Sequence, residues 1–319
     1  MSFFASIFQG PGQAAEHAQE AAHGAEAAAH GAESAASAHG LGSIGEIPDY
    51  ISHHLEDARE MEFAGLHFDL NALAFDPIHI GGVTLDLSPT RQLLFIFLAA
   101  FLCLAIFIPV ARASRTREEG KAPSGIANAM EALILYFRND VVRANIGEDG
   151  DGYTPFILTI FFFILFMNLL GLTPFGITAT ANLSVTAALA VISFVVTEIA
   201  GFRALGPAGY ARTVFFVPHG LPTLLKPVML VIMAPVEFLG KLTKPFALAV
   251  RLFANMMAGH ILILAIVGLI LVTQSFVVGG VSVLIMSALM ILELFVACLQ
   301  AYIFAMLTSV FIGLIRHAH

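Results

Sequence analysis

The stretch from Val228 to Leu271 decides the fold, because it is long, apolar and charged in its middle. It reads VMLVIMAPVEFLGKLTKPFALAVRLFANMMAGHILILAIVGLIL, and only Pro235 and Pro245 interrupt a helix-compatible pattern. A single helix of this length would measure roughly 66 Å, more than twice the ~30 Å hydrocarbon core of a bilayer. The stretch is therefore either two membrane spans with a hidden tight break or one strongly tilted helix. The charges inside it favour the single tilted helix.

The composition of the whole chain places it in a membrane. Of its 319 residues, 58% are hydrophobic and 12% are charged, and the mean hydropathy is +0.86. This balance is too apolar for an ordinary water-soluble domain. The formal net charge is −8, and no basic stripe indicates nucleic-acid binding. Cys103 and Cys298 both lie in apolar runs, which argues against a disulfide framework or a thiolate metal site.

The first 92 residues divide into two parts. Residues 1–45 form a low-complexity Ala, His, Glu and Gly arm, in which a solvated tail is favoured over a metal site. Its histidines are His17, His23, His30 and His39. Residues 46–92 are a lead-in with a possible small hairpin, because Ile78–Ile80 and Val83–Leu85 flank Gly81-Gly82. No Lys or Arg precedes Arg59, so we expect neither a signal peptide nor an Arg-rich transit peptide.

The remaining residues, 93–319, form the predicted membrane domain. Membrane-crossing helices are predicted at residues 93–111, 155–172, 183–201, 228–271 and 281–315. Residues 124–145 carry apolar side chains at helical spacing and are predicted to form an amphipathic helix on the cytoplasmic surface. The fold class is thus an all-α polytopic membrane protein with about five crossings. Its last two helices should be long, strongly tilted and paired as an antiparallel hairpin.

Basic residues set the expected orientation. The first predicted span is followed at once by Arg112, Arg115, Arg117 and Lys121. By the positive-inside rule this end is cytoplasmic, so the acidic N-terminal region is expected on the periplasmic side. Five crossings then leave the C-terminus in the cytoplasm. The sequence therefore favours a multi-pass protein of a bacterial inner membrane, inserted through its own helices.

Several polar side chains of the decisive stretch fall on one stripe of a helix. They are Glu237, Lys241, Lys244, Arg251 and Asn255. Ionisable groups at membrane depth cost several kcal/mol unless they are paired or hydrated, so they mark function by default. For Lys241 and Lys244 we prefer a simpler interpretation, in which they snorkel toward the cytoplasm.

Arg251 is harder to explain as a structural residue. Apolar residues flank it, and no acid lies within one helical turn. A guanidinium stays protonated at physiological pH, so it cannot relieve its burial by losing a proton. Its counter-charge must come from outside this helix. The alternative is an ion pair within the chain, which would need Glu237, Glu198 or Glu293.

The last predicted helix offers two neighbours for the stripe. Paired residues of an antiparallel hairpin have a nearly constant sum of residue numbers. Arg251 with Gln300 and His260 with Glu293 give nearly the same sum, and its midpoint lies in a credible turn at residues 273–280. Gln300 can therefore lie near Arg251, while His260 can meet Glu293.

The pairing of His260 with Glu293 has two interpretations. An imidazole beside a carboxyl group can relay protons near neutral pH, or the two can form a buried pair that only fixes helix register. Both remain open at this point. Arg251 and His260 lie about 180° apart on an ideal helix, so the helix must curve or His260 must face another surface.

Three stretches of the sequence, taken in order, resemble the a subunit of F-type ATP synthases. MNLLGLTP at residues 167–174, followed by Asn182, is the weakest match. KPFALAVRLFANMMAGH at residues 244–260 is the most specific, and LQAYIF at residues 299–304 is the third. The resemblance covers roughly the last 230 residues, and three ordered matches make coincidence improbable.

The resemblance implies roles for particular residues. Arg251 would face the essential carboxylate on a rotating ring of c subunits, with Gln300 and Asn255 as polar neighbours of that site. His260 and Glu293 would be the acid and histidine pair of the periplasmic half-channel, although many bacterial members carry the acid first.

Two further assignments follow from the same resemblance. Glu237 would lie toward the cytoplasmic half-channel, and Asn182 near the periplasmic opening. The family's two final helices are long and strongly tilted against the ring, which agrees with the length argument above.

The resemblance also implies partners: the c ring, b-type peripheral stalk subunits, the soluble nucleotide-binding sector and membrane lipid. The chain would be a static, non-catalytic, ion-translocating subunit that couples ion flow to rotation and ATP synthesis. It has no Gly-rich phosphate loop, and we expect no cofactor, metal or nucleic acid. The rival functions are a secondary transporter, which should show an internal repeat that this sequence lacks, and a structural subunit with internal ion pairs.

Overall fold

The computed structural model describes residues 48, 60–63, 66–69, 78–80, 83–85, 90–115, 125–173, 178–215, 226–273 and 275–317. The predicted arm at 1–45 lies outside these residues, and so does its possible metal site. Much of the lead-in at 46–92 also lies outside them, including Gly81-Gly82.

The described part of the chain holds five helices that are long and apolar enough to cross a membrane. We name the helices α1 (Arg91–Arg115), α2 (Ile126–Tyr136), α3 (Thr154–Gly171), α4 (Leu183–Val214), α5 (Lys226–Thr273) and α6 (Phe276–Arg316). All except α2 are long enough to span. The all-α polytopic fold class is confirmed.

Two small antiparallel hairpins precede α1. Strands β1 (Glu60–Phe63) and β2 (Leu66–Asp69) pair with each other. Strands β3 (Ile78–Ile80) and β4 (Val83–Leu85) pair with Ile80 opposite Val83, at the position that the sequence predicts. The β1–β2 hairpin was not predicted.

Helix α5 is continuous over 48 residues, so the alternative of two spans with a tight break is wrong. Its length is about 72 Å at the usual rise per residue. Pro227 lies in the first turn, where a missing N–H costs nothing, while Pro235 and Pro245 are accommodated inside the helix. The strong tilt against the membrane stays a prediction.

Helix α6 begins at Phe276, five residues before the predicted start at residue 281. The turn between α5 and α6 is therefore only two residues long. The break between the two helices lies within the predicted turn region 273–280, and Gly279 N–H donates to the Ser275 carbonyl over 2.8 Å, so the later part of that region is already helical. Here the helical ladder overrides the weak helix propensity of glycine.

Helix α4 extends to Val214, well beyond the predicted end at residue 201. The prediction placed the end where Arg203 and Arg212 make the sequence polar, but charged residues end a membrane span without ending a helix. A kink interrupts α4 at Gly206, whose φ of 68° requires a residue without a Cβ, and Pro207 follows it.

The predicted amphipathic segment is helical but not uniform. Helix α2 continues into a π-helix at Phe137–Arg143 and a short helical turn at Ala144–Ile146. Phe137 and Val141, two residues of the predicted apolar face, are fully buried. The Ser309 hydroxyl donates to the Val141 carbonyl over 3.0 Å, which joins this segment to α6.

The chain divides into two compact units. Among the described residues, the smaller unit contains Ala258–Leu292, and the larger contains those from residue 60 to Met257 and from Glu293 onward. Within the larger unit, α5 and α6 run antiparallel. Asn255 contacts Gln300, and further toward the start of α5, Lys244 lies over the ring of Phe311. The antiparallel direction of the predicted pairing is therefore confirmed there.

Gly313 marks the closest approach between α6 and the segment after α2. A Cβ added at Gly313 would lie 2.0 Å from the Asn145 carbonyl oxygen, whereas one added at Gly240 would meet nothing within 4 Å. We expect Gly313→Ala to destabilise the fold by about 1–3 kcal/mol through overpacking. Gly240→Ala should be neutral or slightly stabilising, because alanine favours the helix.

The measurement is the thermal unfolding midpoint in detergent, followed through alkylation of the half-buried thiol of Cys103. Equal midpoints for the Gly313 and Gly240 variants would contradict the close approach.

Candidate functional site

Arg251 projects from the part of α5 that belongs to the larger unit. Its side chain is exposed at the surface of the chain, while Leu252 beside it is fully buried. Among the residues that the structure describes, Arg251 makes no hydrogen bond and no ion pair. None of the three acids considered above, Glu237, Glu198 and Glu293, therefore neutralises it within this part of the chain.

Glu198 is instead the partner of Lys241. The Lys241 ammonium lies 3.4 Å from the Glu198 carboxylate and 3.1 Å from the Thr213 hydroxyl. It also lies 4.5 Å from the centre of the Tyr210 ring, and the Tyr210 hydroxyl donates to Glu198. Only 10% of the Lys241 side chain is exposed, so the snorkelling interpretation is wrong for this residue. The reason is that α4 continues past residue 201 and supplies Tyr210 and Thr213.

Glu237 and Lys244 lie near this cluster. Both line a pocket of about 100 Å³ between α4, α5 and α6, together with Glu198 and Lys241. Lys244 stays exposed, with its ammonium 5.5 Å from the centre of the Phe311 ring. Ser193 lies at the wall of the same pocket, and its buried hydroxyl has no hydrogen-bond partner among the described residues. The pocket is thus polar enough to hold water.

Asn255 and Gln300 form the polar contact between α5 and α6. The Asn255 amide donates to the Gln300 Oε1 over 3.0 Å. Gln300 is 2% exposed, and its Nε2 has no hydrogen-bond partner in the described part of the chain. The structure therefore brings Asn255 and Gln300 together and leaves Arg251 one turn away on the same helix. The proximity of Gln300 to Arg251 stays a prediction.

His260 and Glu293 are both buried, each with 7% of its surface exposed. His260 belongs to the smaller unit and Glu293 to the larger one, and neither is without a partner. The relay between them stays a prediction.

Asn182 is the N-cap of α4. Its side-chain oxygen accepts from the Ser184 N–H over 2.8 Å, which satisfies a free amide at the helix start. Its amide nitrogen donates to Gln92 on α1 over 2.6 Å. The role expected for Asn182 at an opening is not tested by these contacts, and Gln92 gave no signal in the sequence beyond its position at the start of a span.

A buried polar pair at Asn168 was also not predicted as part of a site. The Thr180 hydroxyl donates to the Asn168 side-chain oxygen over 2.7 Å, and the Asn168 amide donates to the Ala297 carbonyl over 3.3 Å. Both side chains are fully buried. Asn168 therefore ties α3 to α6, and the sequence signals for it were an amide inside an apolar span and its place in the stretch MNLLGLTP.

A cluster of charges forms at the start of α3. Asp151 accepts from Arg143 Nε over 2.7 Å and from Arg138 Nε over 3.1 Å. The hydrogen bond to Asp151 raises the pKa of the Arg143 guanidinium. The Arg316 guanidinium lies 3.9 Å from Asp149, which brings the end of α6 to the same cluster. These charges are satisfied within the chain, in contrast to that of Arg251.

These features define a class: a polytopic membrane protein with a permanent charge on a spanning helix and polar contacts where two long helices pair. The family described as ATP synthase A chain matches residues 93–313. The chain therefore belongs to the ATP synthase A chain family.

Individual relatives support this assignment. The protein named ATP synthase subunit a from Chlorobium phaeobacteroides (strain BS1) is 40% identical over 304 residues, which cover 95% of this chain and 85% of that protein. The protein of the same name from Anaeromyxobacter dehalogenans (strain 2CP-C) is 43% identical over 294 residues, which cover 88% of this chain and 74% of that protein. The protein named ATP synthase subunit a from Chloroherpeton thalassium (strain ATCC 35110 / GB-78) is 42% identical over a match that covers 82% of this chain and 75% of that protein. The resemblance inferred from the sequence motifs is confirmed.

The pairing of Glu198 with Lys241 can be measured by a double-mutant cycle. Replacing either residue by leucine leaves the other charge buried, which should cost roughly 3–5 kcal/mol. We expect the double variant Glu198→Leu with Lys241→Leu to be less destabilised than the sum of the single changes, because no charge is then left unpaired. Thermal unfolding of the four proteins in detergent supplies the values. Strictly additive changes would show that the two side chains do not interact.

Proposed function

We propose that this chain is the stationary part of a rotary ion path, with Arg251 as the fixed charge that faces the carboxylate of a rotating c ring. The observation that carries the proposal is that Arg251 lies on a helix long enough to span the membrane and has no ion pair among the described residues. Its guanidinium cannot become neutral by losing a proton, so the charge stays in place. Its exposure on the surface of the chain leaves it accessible to a partner subunit.

The mechanism follows from electrostatics. A carboxylate on the ring takes up an ion, most simply a proton, from one half-channel and becomes neutral, so it can pass through lipid. After nearly a full turn it reaches the second half-channel and releases the ion. Arg251 attracts the ionised carboxylate between the two channels and repels a cation that would otherwise leak straight across.

The remaining site residues are assigned by the same proposal. His260 and Glu293 serve the periplasmic half-channel, where an imidazole near a carboxyl group can pass a proton on. Glu237 serves the cytoplasmic one, and the polar pocket that it lines with Lys241 and Lys244 supports this assignment. Asn255 and Gln300 hold α5 and α6 together beside Arg251, which supports a role in fixing the position of its helix.

The partners in this proposal are the c ring, b-type stalk subunits and the soluble sector that handles nucleotide. The names of the relatives support membership in an ATP synthase, and the chain itself contributes no nucleotide chemistry to it. Location in a bacterial inner membrane fits the bacterial relatives.

The decisive test is ATP synthesis by the reconstituted enzyme under an imposed proton gradient. Arg251→Ala should abolish synthesis while leaving assembly largely intact, and it should increase passive proton leak because the positive barrier is gone. Arg203→Ala is a matched control, since Arg203 is also exposed on a spanning helix but is predicted to lie at its cytoplasmic end. We expect the control to retain synthesis. Robust synthesis by the Arg251 variant would reject the proposal.

The orientation is tested separately by labelling introduced cysteines. On a background with Cys103→Ser and Cys298→Ser, we expect a membrane-impermeant maleimide to label Ser37→Cys in spheroplasts and Ala318→Cys only in inverted vesicles. The opposite pattern would place the N-terminus in the cytoplasm and reverse the assignment of the two half-channels.

A further inference from the structure

A pocket of about 580 Å³ lies between α1, α3 and the segment of α2 and the π-helix. It belongs wholly to the larger unit and is separate from the residues of the ion path. Its volume falls within the range of ligand pockets, about 300–1,000 Å³. The pocket has a polar end and apolar walls.

The polar end consists of Arg138, Asp151 and Thr154. Asp151 accepts hydrogen bonds from both Arg138 and Arg143, so its single charge is shared between two guanidiniums. Arg138 uses its Nε and one terminal nitrogen for Asp151, so among the described residues its other terminal nitrogen is left to donate to a bound group. Thr154 is buried, with 7% of its surface exposed, and its hydroxyl has no hydrogen-bond partner among the described residues. A bound group that accepts hydrogen bonds would satisfy both the Arg138 guanidinium and the Thr154 hydroxyl.

The walls are apolar. Leu158 and Phe162 line the pocket from α3, which rises about 12 Å from Thr154 to Phe162. Leu104 and Phe107 line it from α1, and the rings of Phe107 and Phe162 meet edge to face with centres 4.7 Å apart. Leu104 is 58% exposed, so the pocket opens beside the outer face of α1. That face belongs to a helix able to span the membrane, where the surrounding medium is lipid.

We propose that this pocket binds one glycerophospholipid molecule of the surrounding membrane. An acyl chain lies between α1 and α3, the phosphate lies against Arg138, and Thr154 donates to a phosphate or ester oxygen. An arginine binds phosphate through charge-assisted hydrogen bonds, which are about twice as strong as neutral ones. A free phosphate ion would leave the apolar walls unused, and a plain hydrocarbon would leave the Thr154 hydroxyl unsatisfied. A phospholipid meets both requirements.

Cys103 gives a direct readout, because its half-buried thiol lines the pocket. The experiment uses the complete complex with Cys298→Ser in this chain, purified and depleted of lipid in a detergent without phosphate. The rate of alkylation of Cys103 by N-ethylmaleimide is followed by mass spectrometry while phosphatidylglycerol is added at low mole fraction. We expect saturable protection, with the rate falling several-fold.

Two pairs of variants sharpen the test. Leu104→Trp should fill the pocket and abolish the effect of lipid, whereas Phe101→Trp, one turn away on the exposed face of α1, should leave it unchanged. Arg138→Gln should raise the lipid concentration needed for half-protection by about tenfold, through loss of a charged hydrogen bond. Arg138→Lys keeps the charge and should lie between Arg138→Gln and the unchanged protein.

Three results would overturn the proposal. One is an alkylation rate of Cys103 that does not depend on lipid in the otherwise unaltered complex, a result that needs no pocket variant to fold. Another is equal protection of a cysteine placed at Phe97, which is 65% exposed on α1 and does not line the pocket, because that would indicate a general lipid layer. The third is equal protection by diacylglycerol, which lacks the phosphate and would remove the role assigned to Arg138.

Discussion

The charge of Arg251 is the constraint on which the rest of the structure depends. A guanidinium cannot be neutralised by losing a proton, so a spanning helix that carries one must bring it to water or to an opposite charge. The described part of the chain supplies no such charge to Arg251. Arg251 stays exposed while Leu252 beside it is fully buried, so the fold fixes this part of α5 in place without covering the guanidinium.

Two other polar side chains on spanning helices, Lys241 and Asn168, are satisfied within the described part of the chain, which makes the contrast with Arg251 informative. Lys241 has Glu198, Tyr210 and Thr213 as neighbours, and Asn168 bridges Thr180 and Ala297. The fold can thus neutralise or hydrogen-bond a polar side chain where stability alone is at stake. An arginine left exposed on the same helix as Lys241 is accordingly better explained by function than by an imperfect fold.

The sequence predicted the elements that follow from length and apolar pattern, and it failed where contacts between distant segments decide the outcome. The five spanning helices and the β3–β4 hairpin are local features, so both were predictable. The extension of α4 to Val214 was missed because a membrane span and a helix were taken to end together. Lys241 was then misassigned, since its partner Tyr210 lies on that extension.

The distribution of burial among the helices shows which surfaces the fold keeps free. In the apolar 18-residue stretch of the span that contains α3, 56% of the residues are buried inside the chain, compared with 17% in the corresponding stretches of α5 and of α6. The two longest helices, α5 and α6, are mostly uncovered. These same helices carry the two stretches that most closely resemble the family, at residues 244–260 and 299–304. Lipid can cover their apolar residues at little cost, but it cannot accommodate Arg251. In the proposed function, the side of α5 that carries this arginine faces the ring carboxylate, whereas the remaining uncovered surface requires only membrane.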